Sequence, residues 1–289
     1  MAIRDLGYRA YEGERRTGPG NVWRVVVRHG LSRIASSWIV RIWTLFSVVG
    51  ALFFAGAILL VVNLGSMQSG LSPEEVLAEV QPAGLLGLYL FVHLFFIGSV
   101  ITLTSGAGVL AEDFAQRSFP FYFAKPVTPV QYLLGRIGAL AIYLFLVEYV
   151  PVLLPIGVIA SFGGELWLEY AGLALPMLLA CAITALSLAS LSVGVSALSR
   201  SRALTRSAWA LIFFVPYVLT ALVALLANSQ WPMLASIPGL LALLGNELLR
   251  VETGDLPVHW YHAAPILALL VAGTVALTAR RLRSAEVIT

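Results

Sequence analysis

AEDFAQRSFPFYFAKPVTPVQYLLGR, residues 111–136, is a polar segment between two apolar stretches, and it holds the only lysine of the chain, Lys125. Residues 85–110 before it and 137–160 after it are each long enough to cross a bilayer. A bilayer core about 30 Å thick needs about 20 apolar residues in a helix that rises about 1.5 Å per residue. This alternation of apolar and polar segments predicts an all-α integral membrane protein.

The same reasoning extends outward to the whole chain. The composition is 59% hydrophobic and 11% charged, with a mean hydropathy of +0.89, which is typical of membrane proteins rather than soluble domains. Within a membrane domain over 38–282, we expect six transmembrane helices at residues 38–62, 85–110, 137–160, 170–198, 208–227 and 263–279.

The distribution of basic residues predicts the orientation of these spans. Seventeen of the 18 lysine and arginine residues lie in the N-terminal segment, in alternate loops and in the tail. The remaining loops hold only Arg250, beside most of the acidic residues. Because cytosolic loops are enriched in Lys and Arg, we expect both termini in the cytosol of a protein of the cell (inner) membrane. The net charge of +3 follows from this topology and predicts no nucleic-acid partner.

Three segments outside the spans have patterns of their own. Residues 1–20 are charged and rich in turn formers, which predicts a cytosolic leader, and residues 283–289 form a cytosolic tail. Residues 21–37 contain apolar side chains at helical spacing opposite arginines, which predicts an amphipathic helix at the lipid interface. Residues 228–262 are apolar but interrupted by prolines and too short to cross, which predicts short re-entrant helices on the outer face.

Glu148 is the one acidic residue inside a predicted span, and His93 lies at a comparable depth in the preceding antiparallel span. An ionisable group inside a membrane is costly and is a candidate functional group by default. The pair is a candidate for lining a substrate path or relaying protons. The alternative is a structural hydrogen bond between neighbouring helices.

The fourth span is crowded with alanine, serine and glycine. Small residues let helices approach closely, so packing is one role for this surface. Thr184, Ser187 and Ser190 form a polar stripe on it, which is the second part of the candidate substrate path.

Enzyme and metal signatures are absent from the sequence. His259 and His262, with Asp255 nearby, could in principle ligate a metal, but a three-residue histidine spacing alone is a weak signal for a zinc site, which needs three or four ligands. We therefore predict no metal and no cofactor bound by this chain. There is no G-x-x-x-x-G-K-[ST], H-E-x-x-H or G-x-S-x-G motif. The chain is therefore not expected to be an enzyme, and any ATP-driven role needs a separate subunit.

The segment SGAGVLAEDFAQRSFPFYFAKPVTPVQYLLGR resembles the permease subunit of type-2 ABC transporters. In that family the second span ends in small residues and an acidic pair, here Glu112 and Asp113. A short helix then leads to a K/R-P-V-x-x-x-x-Y-L-L-G-K/R element, here from Lys125 to Arg136. The family often has Gly-Thr where this chain has Arg117 and Ser118. The resemblance extends over most of the chain, from the amphipathic helix to the tail.

The resemblance implies a permease of an ATP-driven transporter, of the exporter-like class, in which residues 111–127 dock on a cytosolic ABC ATPase. That partner would bind ATP and Mg, and a second permease chain would complete a homodimer or a similar heterodimer. The candidate coupling residues are Glu112, Asp113, Arg117, Phe119, Phe121, Tyr122, Phe123 and Lys125. Buried aromatic anchors often dominate interface energy; the alternative is that these rings lie at headgroup depth.

Two other functions stay open at this point. A secondary transporter or channel would use His93 and Glu148 and would be driven by an ion gradient. A membrane scaffold subunit of a larger ATPase-linked complex would bind the ATPase but move no substrate.

Overall fold

The structure, a computed structural model, describes residues 22–116, 118, 127–251 and 258–287, and every regular element within them is a helix. The first half contains α1 (Val22–Ser36), α2 (Trp38–Ser69), α3 (Pro73–Val80), α4 (Pro82–Val92), α5 (Ser99–Ser105) and α6 (Val109–Ala115). The second half contains α7 (Pro129–Phe162), α8 (Trp167–Gly172), α9 (Ala174–Ser196), α10 (Arg202–Ala227), α11 (Ile237–Leu248) and α12 (Trp260–Val287). The predicted all-α class is confirmed for these residues.

Six helical segments are long and apolar enough to cross a membrane, which is the predicted number. In chain order, the first to sixth spans are Trp38–Ser69, Pro82–Ala115, Pro129–Phe162, Gly164–Ser196, Arg202–Ala227 and Trp260–Ser284. Several extend well beyond the predicted apolar stretches, because helical hydrogen bonding continues through the polar residues at their ends.

The start of the third span illustrates this extension. Thr128 caps α7: its Oγ accepts a hydrogen bond from the Gln131 backbone N–H (3.2 Å), and the Gln131 side chain accepts one from the Thr128 N–H (3.1 Å). Pro129 follows at the first helical turn, where its missing N–H costs nothing. The third helix therefore begins eight residues before the predicted span, and the polar segment predicted at 111–136 is helical at both ends.

The fourth span lies at the centre of the bundle. In its most apolar window 67% of residues are buried, against 6% in the fifth span. Its small residues allow the close approaches: a methyl group added at Gly194 would overlap the side chain of Thr274 in the sixth span. The packing role predicted for this surface agrees with these contacts.

The second span is irregular at two places. A π-helix, His93–Gly98, connects α4 and α5. A turn at residues 106–108 separates α5 from α6, and a methyl group added at Gly106 would lie 2.8 Å from Leu140 Cδ2 and 2.9 Å from Ser192 Cβ. Only glycine fits this approach between the second, third and fourth spans. The turn gives α6 its own direction at the end of the span.

The N-terminal helix α1 is amphipathic, as predicted, but its apolar face packs on the third span. A methyl group at Gly30 would lie 2.6 Å from Ala139 Cβ, and one at Gly135 would lie 2.7 Å from Val26 Cβ. The glycines thus bring α1 and α7 into direct contact. The helix therefore packs against the third span, and its place at the lipid interface stays a prediction.

The segment predicted to be re-entrant contains a short 3₁₀ helix, Trp231–Ala235, and α11. α11 is apolar and too short to cross a membrane. Buried residues on one face of it, including Leu240, Leu241 and Leu244, join the main hydrophobic core. Residues 252–257 lie outside the described residues.

Candidate functional site

Glu112 joins three parts of the protein at the end of the second span. Its side chain pairs with Arg33 of α1 and with Arg202 at the start of the fifth span, where Arg202 Nη1 donates to Glu112 Oε1 at 3.1 Å. The side chains of both arginines are more than 40% exposed. Exposed ion pairs contribute between 0 and about 1 kcal/mol each, so these two pairs hold the position of α6 without rigidly fixing it.

Asp113, the next residue, is buried with its partners. Tyr132 donates its hydroxyl hydrogen bond to Asp113 Oδ2, and Arg136 Nη2 donates to the same oxygen at 3.1 Å. Arg136 Nε also donates to the Tyr132 hydroxyl oxygen at 3.0 Å. The side chains of Asp113 and Arg136 are each only 4% exposed. Removing one partner of such a buried pair costs about 3–5 kcal/mol, because it leaves a charge without compensation.

The fourth and sixth spans also hold α6. Ser196 Oγ accepts hydrogen bonds from the backbone N–H groups of Leu110 (2.6 Å) and Ala111 (3.1 Å), which are first-turn donors that a helix cannot satisfy internally. The Arg281 guanidinium lies 5.4 Å from the centre of the Phe114 ring. We call these contacts of Glu112, Asp113, Phe114 and the first turn the α6 network. It connects the end of the second span to α1 and to the third, fourth, fifth and sixth spans.

The predicted coupling residues therefore divide into two groups. Glu112 and Asp113 lie in the α6 network, and the burial of Asp113 means that it positions α6 rather than presenting a surface. The others lie outside the described residues: Arg117, Phe119, Phe121, Tyr122, Phe123 and Lys125.

Sequence reasoning missed most partners in the network. Arg33 and Arg202 counted only as topology signals, Arg136 also as the end of the K/R-P-V-x-x-x-x-Y-L-L-G-K/R element, and Ser196 only as one of the small residues of the fourth span. Tyr132 and Arg136 lie four residues apart in a helix with a capping box, which places them on one face. That spacing was the one available signal that both side chains meet the same partner.

A second polar group lies inside the bundle. Tyr89, His93 and Glu148 are buried, and the rings of Tyr89 and His93 stack with centroids 3.9 Å apart. Among the described residues, the Tyr89 hydroxyl, His93 Nε2 and both carboxyl oxygens of Glu148 have no hydrogen-bond partner. We call these three residues the interior cluster.

Three spans surround the Glu148 carboxyl group. A methyl group added at Gly98 would lie 3.2 Å from Glu148 Oε1 and 3.1 Å from Leu188 Cδ1, so the second, third and fourth spans meet here. A methyl group at Gly50 would lie 3.8 Å from His93 Cε1, which places the first span beside the histidine. No hydrogen bond joins His93 and Glu148 in the structure, and their role in a substrate or proton path stays a prediction.

Buried polar atoms without hydrogen-bond partners are rare in folded proteins, so each one needs a physical explanation. A carboxyl oxygen or an imidazole nitrogen without a partner can hold a proton or bond to a polar substrate group. The interior cluster is therefore the part of the described bundle best suited to contact a polar group inside the membrane.

Thr184, Ser187 and Ser190, the predicted polar stripe, are all buried in the bundle, between 2% and 5% exposed. Ser187 also lines an apolar groove of about 770 Å³ between the fourth span, α11 and the sixth span, beside Leu267 and Val271. The substrate path proposed for these hydroxyls stays a prediction.

The two histidines near the start of the sixth span make local contacts. The His259 backbone N–H donates to His262 Nδ1 at 3.2 Å, and the His262 ring packs edge-on to Trp231 with centroids 4.9 Å apart. Asp255 lies outside the described residues.

Comparisons with known proteins add no assignment to this geometry. The chain matches no protein-family model, and it has no significant similarity to a curated protein. The α6 network and the interior cluster are therefore the two features of this multi-pass membrane protein that point to a function.

Proposed function

We propose that this chain is the membrane permease subunit of an ATP-driven transporter of the type-2 ABC class, acting with a separate cytosolic ATPase. The observation that carries the proposal is the α6 network. Helix α6, directly before the segment 116–128, contacts α1 and the third, fourth, fifth and sixth spans. A force applied to that segment therefore reaches most of the bundle.

The arrangement suits transmission of motion for a physical reason. Asp113, Tyr132 and Arg136 form a buried, mutually hydrogen-bonded group that links α6 to the third span as one body. The Glu112 pairs are exposed and weak, so they can exchange partners during a conformational cycle. A rigid link on one side and an exchangeable link on the other is what a coupling element needs.

The assignment of roles follows the sequence. With a single lysine and no phosphate-binding loop, the chain leaves ATP and Mg binding to its partner. Phe119, Phe121, Tyr122 and Phe123, with Arg117 and Lys125, form the docking surface in this proposal. A second permease chain completes the transporter, and export of an apolar or amphipathic substrate from the inner side of the cell membrane is its expected direction.

The direct test is purification of the tagged chain from its native membrane in mild detergent. We expect a stoichiometric ATPase with Walker motifs to co-purify, and to be lost when residues 119–123 are replaced by serines. The matched control replaces three exposed residues of the opposite end, Leu166, Trp167 and Leu168, by serines and keeps the ATPase. An intact complex without any ATPase would refute the proposal.

The interior cluster favours a second candidate, a secondary transporter or channel. Its support is the Glu148 carboxyl group, whose two oxygens have no described partner. In proteoliposomes, this function predicts uptake driven by a proton or sodium gradient without ATP, and loss of uptake in Glu148→Gln. If uptake requires the ATPase and does not depend on an ion gradient, the secondary transporter or channel is refuted.

A scaffold subunit remains the third function, and the same preparation separates it from the first. A scaffold retains the ATPase through residues 119–123 but shows no ATP-dependent movement of any lipid or hydrophobic probe across the membrane.

A further inference from the structure

A cavity of about 190 Å³ lies beside the α6 network, between α1 and the second, third and fifth spans. Its lining includes four arginines, Arg33, Arg136, Arg202 and Arg206, and one glutamate, Glu112, among the described residues. One water occupies about 30 Å³ of liquid, so the cavity has room for a larger polar group. We call it the arginine cavity.

The charges around the arginine cavity do not balance. Arg136 is paired with Asp113, and Glu112 is shared between Arg33 and Arg202. Arg206 forms no ion pair with any described residue; its Nη2 donates to the backbone carbonyl of Thr104 at 2.8 Å. The group as a whole therefore keeps an excess of positive charge in a partly enclosed space.

The orientation of the unpaired donor is the second observation. Arg206 Nε is buried and has no hydrogen-bond partner among the described residues. A methyl group added at Gly108 would lie 3.3 Å from this nitrogen and 3.5 Å from Arg202 Nε, so the two guanidinium groups converge over the glycine. A buried donor beside a second arginine is the arrangement that a tetrahedral anion satisfies.

The position of the cavity in the fold limits the classes of ligand that can reach it. It lies where the second, third and fifth spans end, beside the amphipathic helix α1, and its other lining side chains include the hydroxyl groups of Ser37, Thr104 and Ser105. In a membrane, this is the depth of lipid headgroups, and basic pockets between transmembrane helices bind their phosphates. A phosphate free in solution has the same chemistry and reaches the same end of the bundle.

We propose that the arginine cavity is a phosphate-binding site, with Arg202 and Arg206 as the principal ligands, and that the phosphate belongs to the headgroup of an anionic phospholipid or comes from solution. A phosphate here would complete the hydrogen bonding of Arg206 and would offset the excess charge. This site does not depend on the proposed ATPase partner.

The test uses the full chain, purified in mild detergent and depleted of lipid. Thermal unfolding is followed during titration with dioleoyl phosphatidylglycerol, dioleoyl phosphatidylcholine or inorganic phosphate, because a ligand that binds only the folded state raises the unfolding temperature. We expect phosphatidylglycerol to raise it more than phosphatidylcholine does, and added salt to weaken the effect.

The variants are Arg202→Gln, Arg206→Gln and the pair together, with Arg200→Gln as the matched control. Arg200 is exposed, lies two residues before α10 and does not line the cavity. Loss of one hydrogen bond of ordinary strength to a charged group lowers the affinity roughly tenfold. We therefore expect each cavity variant to weaken binding about tenfold and Arg200→Gln to leave it unchanged.

The possible outcomes distinguish the two sources of phosphate and show which results would overturn the proposal. Selective, variant-sensitive binding of phosphatidylglycerol assigns the site to a lipid headgroup, and the same dependence with inorganic phosphate assigns it to a soluble anion. Binding that is equal in the double variant and the native chain, or no binding of either probe to the native chain, overturns the proposal. If Arg206→Gln does not fold, the exposed Arg202→Gln variant still decides between these results.

Discussion

Asp113 shows how a single residue controls the end of the second span. Its sequence position, next to a polar loop, suggests exposure, yet the structure buries it against Tyr132 and Arg136. The three side chains satisfy one another, so the charges are tolerated in the bundle. The residue stabilises the geometry from which the following segment departs.

We expect Asp113→Asn to destabilise the protein by about 3–5 kcal/mol, because Arg136 would keep a buried charge without its carboxylate. Unfolding in detergent, followed by tryptophan fluorescence during a denaturant titration, measures the change. Glu169→Gln is the control, since Glu169 is exposed at the far end of the bundle. Equal stabilities of the two variants would mean that the buried pair contributes nothing.

At the scale of elements, glycines decide which helices touch. The fourth span reaches the sixth through Gly194, whose added methyl group would overlap Thr274, whereas a methyl group at Gly273 would meet nothing within 4 Å. The two glycines lie on facing spans, and only one of them is at the contact. The pair therefore separates a packing effect from a general effect of removing glycine.

Gly194→Ala is expected to lower stability by about 1–3 kcal/mol, the usual cost of overpacking a close contact. Gly273→Ala is expected to be neutral or slightly stabilising, since alanine is the better helix former. Thermal unfolding of both variants in the same detergent gives the comparison. A loss of similar size in both would refute the assignment of a close contact to Gly194 alone.

Helix α3, between the first and second spans, has a titratable cap. Ser72 Oγ accepts from the Glu75 N–H, and the Glu75 carboxylate accepts from the Ser72 N–H at 2.7 Å. The hydrogen bond from the Ser72 backbone lowers the pKa of Glu75 below its ordinary value of 4.5. A carboxyl group whose pKa is lowered on folding stabilises the helix fully when the pH is above the group's ordinary pKa. This stabilisation is lost as the pH falls through the lowered pKa.

Hydrogen exchange of residues 73–80 measures that dependence. We expect protection to fall as the pH is lowered below 4.5, and this pH dependence to disappear in Glu75→Gln. Glu79→Gln, in the same helix but away from the cap, should keep the native pH profile. A profile that is unchanged by Glu75→Gln would show that the cap does not titrate in this range.

At the scale of the whole molecule, the α6 network and the interior cluster lie at different depths of one bundle. The network joins α6 to five other elements, whereas the interior cluster lies where the second, third and fourth spans meet. The second and third spans both carry residues of the two groups, and the second span is irregular at its π-helix and at the turn at residues 106–108. In the proposed transporter, these are the places where the span can change shape.

Glu112→Gln tests the α6 network in the proposed transporter. Loss of two exposed ion pairs removes on the order of 1 kcal/mol, so we expect a roughly fivefold loss of transport-coupled ATP hydrolysis while the ATPase still co-purifies. Glu165→Gln, an exposed acid at the opposite end, is the control. Unchanged coupling in Glu112→Gln would remove the network from the mechanism.

The sequence alone determined the class of the protein and the number of its spans. Long apolar stretches in a chain with few charges can bury their backbone polar groups only as membrane helices, and this constraint acts locally. A serine or threonine cap followed by proline also marks the starts of α3 and α7 in the structure, but the third span was predicted only from residue 137, eight residues after α7 begins. The candidate residues Glu112, His93 and Glu148 were also visible, because charge is conspicuous in an apolar sequence.

Only the tertiary structure decided which of these residues meet. Arg33, Asp113, Arg136 and Arg202 are distant in sequence, and a count of charges cannot say whether an arginine marks topology or pairs with a buried carboxylate. The burial of Thr184, Ser187 and Ser190 likewise depends on where the neighbouring spans pack. The physical reason is that hydropathy is a property of each segment, whereas hydrogen bonds and close packing depend on the crossing of helices, which glycines such as Gly106 and Gly194 permit.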